Sequence, residues 1–104
     1  AENGIAVAGN ITTLVEGLGY ELYPNVPNPF SSLTSVSFFA PKSGEVVIGI
    51  YDMLGNLVKE LTNATYDAGM YKLDFRSDDV APGTYFMRMT ASGYSVTNTI
   101  NVVK

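Results

Sequence analysis

Cysteine, histidine and tryptophan are all missing from the 104 residues. Without cysteine there can be no disulfide, no thiolate metal ligand and no thiol nucleophile. Without histidine the chain lacks the commonest general base near neutral pH and the commonest zinc ligand. Basic residues are also scarce: 6 Lys and Arg face 10 Asp and Glu, for a net charge of −4. A nucleic-acid surface needs a basic patch to offset phosphate charge, and an anionic membrane surface needs a polybasic segment. The sequence offers neither, so no nucleic-acid partner is expected. No apolar run approaches the roughly 20 residues that cross a bilayer as a helix, and no membrane insertion is expected. No stretch of about ten residues carries a 3.6-residue apolar period. The chain opens on Ala1 rather than Met and shows no leader pattern, which predicts a piece cut from a longer protein.

What is present is short alternation. In residues 84–90, Tyr85, Met87 and Met89 fall on one face. In residues 94–103, Tyr94, Val96, Ile100 and Val102 share a face with Asn98. Period-two patterns of this kind mark half-buried strands. The same pattern predicts a strand at 33–40, with Thr34, Val36, Phe38 and Ala40 together, and another at 45–51, with Val46, Ile48 and Ile50 inward. Gly49, on the outer side, predicts a close backbone approach or a bulge. Asp52-Met53-Leu54-Gly55 reads as a type I turn, with the Asp carboxylate bonding nearby N–H groups and Gly in the left-handed position. Residues 56–61 are expected to return as an edge strand, because Leu57 and Leu61 share a face with Lys59. Residues 62–68 read as loop, and 69–75 as a strand with Tyr71, Leu73 and Phe75 on one face. Residues 76–81 cross over.

Two stretches precede these strands. Residues 1–19 hold short apolar patches, with Ile5 and Val7 alternating and 11–15 able to form a short strand. They read as a linker or the tail of a preceding region. Residues 20–104 read as one domain. Tyr20 and Leu22 alternate as a short first strand, and Pro24, Pro27 and Pro29 then fall within six residues. Proline lacks an N–H and extends the residue before it, so this segment cannot be central ladder. A stiff crossing between sheets is expected, with Phe30 plugging the core. About seven short strands with turns between them predict an all-β fold, an immunoglobulin-like antiparallel β-sandwich held by packing alone. Tyr85, after a glycine at the start of a late strand, suits a buried ring that anchors a corner through its hydroxyl.

Catalytic chemistry finds little support. The available bases are carboxylates and lysines. Asp67, Asp74, Asp78 and Asp79 cluster in sequence and could in principle serve as acid and base or as calcium ligands. They sit near predicted turns without EF-hand spacing, where acids mostly cap and solvate loops. Ser31 and Ser32 have no partner base, so a hydrolase triad is unsupported. No enzyme activity, metal or cofactor is expected. Tyr23, Tyr51, Tyr66 and Phe86 fall outside the inward sets and could line a carbohydrate platform, although packing on a sheet face accounts for most of them.

Three motifs in order carry a resemblance. Asn25-Val26-Pro27-Asn28-Pro29-Phe30-Ser31-Ser32 comes first and Ile50-Tyr51-Asp52-Met53-Leu54-Gly55-Asn56 second. Pro82-Gly83-Thr84-Tyr85 follows, with an alternating strand that ends in Val102-Val103-Lys104. Together they resemble the C-terminal sorting domains of the type IX secretion system, of the type A, immunoglobulin-like kind, over residues 20–104. Members often carry lysines in the last strand, where this chain has Asn98 and Thr99. The resemblance implies a non-enzymatic address for a cargo domain on the N-terminal side. Such a domain is bound in the periplasm, carried by shuttle and translocon across the outer membrane, and removed by a sortase that cuts upstream of it. The cargo is then released or joined to surface lipopolysaccharide, which places it outside the cell or on its surface. The residues implied in recognition are Pro82, Gly83, Tyr85, Val102, Val103 and Lys104. The first three also suit turn, turn and core, whereas Lys104 is expected to be exposed and to have little stability role. A reader could pair with an exposed edge strand there. The alternatives from the residues alone are a structural module between domains of a surface protein and a carbohydrate-binding module.

Overall fold

A computed structural model describes residues 19–78 and 80–104. The predicted linker through residue 18, with its possible short strand at 11–15, and Asp79 lie outside the described residues. Seven strands follow in order: β1 Glu21–Leu22, β2 Leu33–Ala40, β3 Gly44–Tyr51, β4 Leu57–Tyr66, β5 Gly69–Arg76, β6 Gly83–Ala91 and β7 Tyr94–Val102. They form two sheets, β1-β2-β5 and β4-β3-β6-β7, and every strand pairing is antiparallel. This is the expected immunoglobulin-like sandwich.

The core lies where the alternating faces of the two sheets meet. Thr34, Val36, Phe38 and Ala40 of β2 are all buried, as are Val46, Ile48 and Ile50 of β3 and Met87 and Met89 of β6. β2 pairs with β5 so that Phe38 stands opposite Tyr71 and Val36 opposite Leu73. Direct cross-strand neighbours share a face, so their rings can meet. Phe38 stacks on Tyr71 at 5.3 Å between ring centroids and meets Tyr66 edge-on at 5.1 Å. Tyr66 therefore packs against the core rather than standing outside it. With no disulfide available, this apolar and aromatic contact holds the sheets together.

β4 departs from expectation. It runs on to Tyr66, through residues that read as loop. Its register against β3 slips twice, and Leu61 and Val58 are left without partners on that strand. Each bulge shifts the alternation by one residue, which is why the period-two pattern was hidden. The strand does lie at the sheet edge, as predicted, and bulges of this kind discourage further pairing there. One slip falls at Gly49. A Cβ at Gly49 would lie 3.0 Å from Leu57 Cδ1 and 3.2 Å from the Tyr51 ring, so a larger residue would fit only if those two side chains moved by a few tenths of an ångström.

The β3–β4 hairpin closes as the turn chemistry requires. The Leu54 and Asn56 N–H groups each donate to Asp52 Oδ1 at 2.9 Å, and the Gly55 N–H donates to the Asp52 carbonyl at 3.0 Å. Gly55 has φ 90°, the left-handed position. These donors, the Asn56 N–H first among them, hold the Asp52 carboxyl below its ordinary value of 3.8. A depressed carboxyl stabilises the fold fully above its unfolded value, and that contribution disappears as pH falls through the folded value. An NMR titration should therefore show Asp52 protonating below pH 3.8, with the hairpin amides of Leu54 and Asn56 shifting in step. In Asp52→Asn the two amides should no longer titrate.

Tyr85 is buried and its hydroxyl donates to the Ala81 carbonyl at 2.6 Å. The ring thus packs in the core while its tip fixes the crossover that delivers β6. Tyr85→Phe removes only the hydrogen bond and should cost about 0.5–1.5 kcal/mol in urea unfolding. Tyr85→Ala also opens a cavity and should cost about 3–5 kcal/mol. Equal losses in the two variants would show that the ring contributes no packing.

Candidate functional site

The last strand, β7, lies at the edge of the four-stranded sheet. One side of it pairs with β6 throughout, from Tyr94 opposite Ala91 to Val102 opposite Gly83. In an antiparallel ladder every second residue turns its backbone groups away from the partner strand. On β7 these are the odd-numbered residues, and near its end they meet the proline-rich segment. The Asn101 N–H donates to Asn28 Oδ1 at 3.0 Å, and Asn28 Nδ2 donates to the Thr99 carbonyl at 3.3 Å. The Phe30 N–H then donates to the Asn101 carbonyl at 3.1 Å, and the Val103 N–H to the Phe30 carbonyl at 2.8 Å. The Asn28 side-chain amide supplies one donor and one acceptor, so it stands in for a strand residue where prolines cannot.

The same segment is tied to the opposite sheet. Val26 and Ser35 exchange backbone hydrogen bonds of 3.0 and 2.9 Å. Asn25 is buried, and its Nδ2 donates to the Pro27 carbonyl at 3.0 Å and to Thr34 Oγ1 at 3.1 Å. Thr34 Oγ1 donates in turn to the Pro27 carbonyl at 2.7 Å. The Val26–Pro27 and Asn28–Pro29 peptide bonds are both cis. Phe30 enters the core, 2% exposed, and meets Phe75 edge-on at 5.6 Å. The segment is thus the crossing between sheets that the prolines imply, and it also forms a clamp on the outer edge of β7.

All six residues implied in recognition gather at this end of the β6–β7 ladder. Gly83 is the register partner of Val102, and Tyr85 that of Ile100. Val102 is buried, Pro82 and Gly83 are exposed, and Val103 is 49% exposed. Lys104 is exposed, but it is not without contacts. Its Nζ donates to the Val80 carbonyl at 2.6 Å, which returns the end of the chain to the crossover ahead of β6. Lys104 is exposed as expected but makes this one contact, and the strand edge beside it is covered by the crossing segment rather than open.

Three contributions escaped the sequence reading: Asn28, Asn25 and Asn98, whose Nδ2 donates to the Leu22 carbonyl at 3.1 Å. Asparagine next to proline reads as turn chemistry, and only its four-site hydrogen-bonding capacity hints at a strand mimic. The acids do not converge. Asp67, Asp74 and Asp78 are exposed, and among the described residues no three acids come close enough to hold a metal ion.

If the clamp fixes β7, then Asn28→Ala should lower stability by about 1–2 kcal/mol, the loss of two modest hydrogen bonds. Urea unfolding measures this. A variant as stable as the parent would mean that the Asn28 amide contributes nothing at the edge.

The sequence matches the protein family described as secretion system C-terminal sorting domain over residues 21–103. No curated protein matches the chain. The matched span takes in the crossing segment, the hairpin and the whole of the clamped last strand. The chain therefore belongs to the family of type IX secretion C-terminal sorting domains.

Proposed function

We propose that this domain is read in its folded state as the export address of a cargo fused to its N-terminal side. Family membership supports a C-terminal sorting signal that directs export to the cell surface or the medium. The finer steps belong to this proposal. The folded domain is bound in the periplasm by the shuttle and translocon, and a sortase then cuts upstream of residue 20. The domain itself carries out no chemistry.

One observation carries the reading. The clamp holds β7 so that Val103 and Lys104 leave the sandwich at a fixed place, beside Pro82 and Gly83. A receptor that binds a folded domain gains affinity when its target is already ordered, because no ordering entropy is lost on binding. Val102 is buried core, so its role is to seat the end rather than to be read. Val103, Lys104, Pro82 and Gly83 form the exposed part.

The test is a fusion of the full 104 residues to a periplasm-targeted fluorescent protein in a bacterium with this secretion system. Fluorescence outside the cell, shortened by roughly the mass of the domain, is expected. Deleting Lys104 should leave a cooperatively folded domain but retain the fusion in the periplasm. Export of the deletion at the parent rate would contradict a reading that includes Lys104. Retention of the intact, folded parent fusion would favour a structural module between domains.

A further inference from the structure

The outer face of the four-stranded sheet carries a feature that sorting by the β7 end does not use. Direct register partners place Leu57, Tyr51, Phe86 and Thr99 in one row across the sheet, and Glu60, Gly49, Arg88 and Thr97 in the next. Gly49 has no side chain, and Leu57 and the Tyr51 ring lean over its backbone. Next to the Tyr51 ring lies a shallow groove of about 260 Å³, lined by Tyr51, Phe86, Arg88 and Thr97 and by Asp52 and Met53 of the hairpin. Beside it the hairpin exposes Leu54 at 87%, Met53 at 67% and Leu57 at 54%.

Charge and size narrow the occupant. Among the described residues the only side-chain hydrogen bond of Arg88 is from Nε to Ser95 Oγ, at 3.2 Å. The rest of the guanidinium fork has no protein acceptor there. Asp52 also lines the groove, and both its oxygens are engaged by the turn, through Leu54, Asn56 and the Asn56 side chain. Glu60 lies on the same side, across Gly49, and makes no hydrogen bond to Arg88. A planar fork with free N–H groups is suited to a carboxylate. The volume falls below the about 300–1,000 Å³ of pockets that enclose a drug-sized molecule, so it suits one side chain. Tyrosine, phenylalanine, methionine and arginine are the residues enriched at the centres of protein interfaces. The exposed Leu54, Met53 and Leu57 give an apolar rim, which favours a protein over a sugar.

We propose that this groove is a second docking site, for a protein segment that places an aromatic side chain between Tyr51 and Phe86 and an adjacent carboxylate on Arg88. That the segment belongs to the export machinery rests on the sorting reading, but the groove chemistry does not. The test uses the purified full chain, so its failure and a failure of export are separate results. The isotope-labelled protein is titrated by NMR with acetyl-Gly-Phe-Glu-Gly-amide and with its Gln analogue at low salt. Saturable shifts confined to Tyr51, Phe86, Arg88, Thr97 and their neighbours are expected. The Gln analogue should bind about tenfold more weakly, as should the parent peptide to Arg88→Gln and Arg88→Lys, with melting temperatures unchanged. Equal binding of both peptides, or no saturable shift, overturns the proposal. So would shifts at these residues caused by a glucuronic acid oligomer and not by peptide, which would mark a sugar site. Shifts that instead follow the protein's own concentration would assign the groove to a second copy and equally overturn it.

Discussion

The pairing of Asn28 and Phe30 with the end of β7 is the contact on which the rest of the architecture rests. A sandwich of two sheets needs a chain segment that passes between them without wasting hydrogen bonds. Here residues 25–30 pass between them while bonded to both, through Val26 to Ser35 and through Phe30 to Asn101 and Val103. The prolines stiffen the path and remove N–H groups that would otherwise need partners. Asn25 and Asn28 supply from their side chains what the prolines omit from the backbone. The Phe30 ring then anchors the crossing in the core, against Phe75. An edge strand that would be open becomes a closed one over its final residues.

That closure connects fold to function. The last residues of a domain normally fray unless something ties them down. In this domain the end is held on three sides: β6 by ladder, the crossing segment by the clamp, and the crossover before β6 by Lys104 to Val80. The tyrosine at the start of β6 fixes that crossover in turn, through Ala81. The exposed residues of the proposed address therefore inherit their positions from buried neighbours. The outer sheet face is organised differently. There Tyr51, Phe86 and Arg88 border a groove whose side chains are not part of the core cluster.

Much of this was legible from residue order. Strands β2, β3 and β6 were legible because each has one face in the core, and Thr34, Val36, Phe38 and Ala40 are buried as read, with Phe39 and Gly49 buried besides. The Asp52 turn and the Gly49 approach were legible because only certain residue types meet those geometries. The run of β4 through Tyr66 was not, since each bulge inverts the pattern that marks a strand. Asn28 and Lys104 were not either. Their partners lie 71 to 73 and 24 residues away, and no local pattern encodes a contact made only after the sheets assemble. Of the residues proposed for recognition, Tyr85 could be assigned a structural part in advance from its place after Gly83. The part played by Lys104 required the fold.

Amide hydrogen exchange along β7 tests the central claim most directly. If the crossing segment closes the outer edge of the strand, the Asn101 and Val103 amides exchange only with global unfolding. The Ser95 and Thr97 amides, which face outward without a backbone partner among the described residues, exchange much faster. Fast exchange at Asn101 and Val103, at the rate of Ser95 and Thr97, would show that the end of the strand is not clamped. The address would then have to be read from a mobile tail.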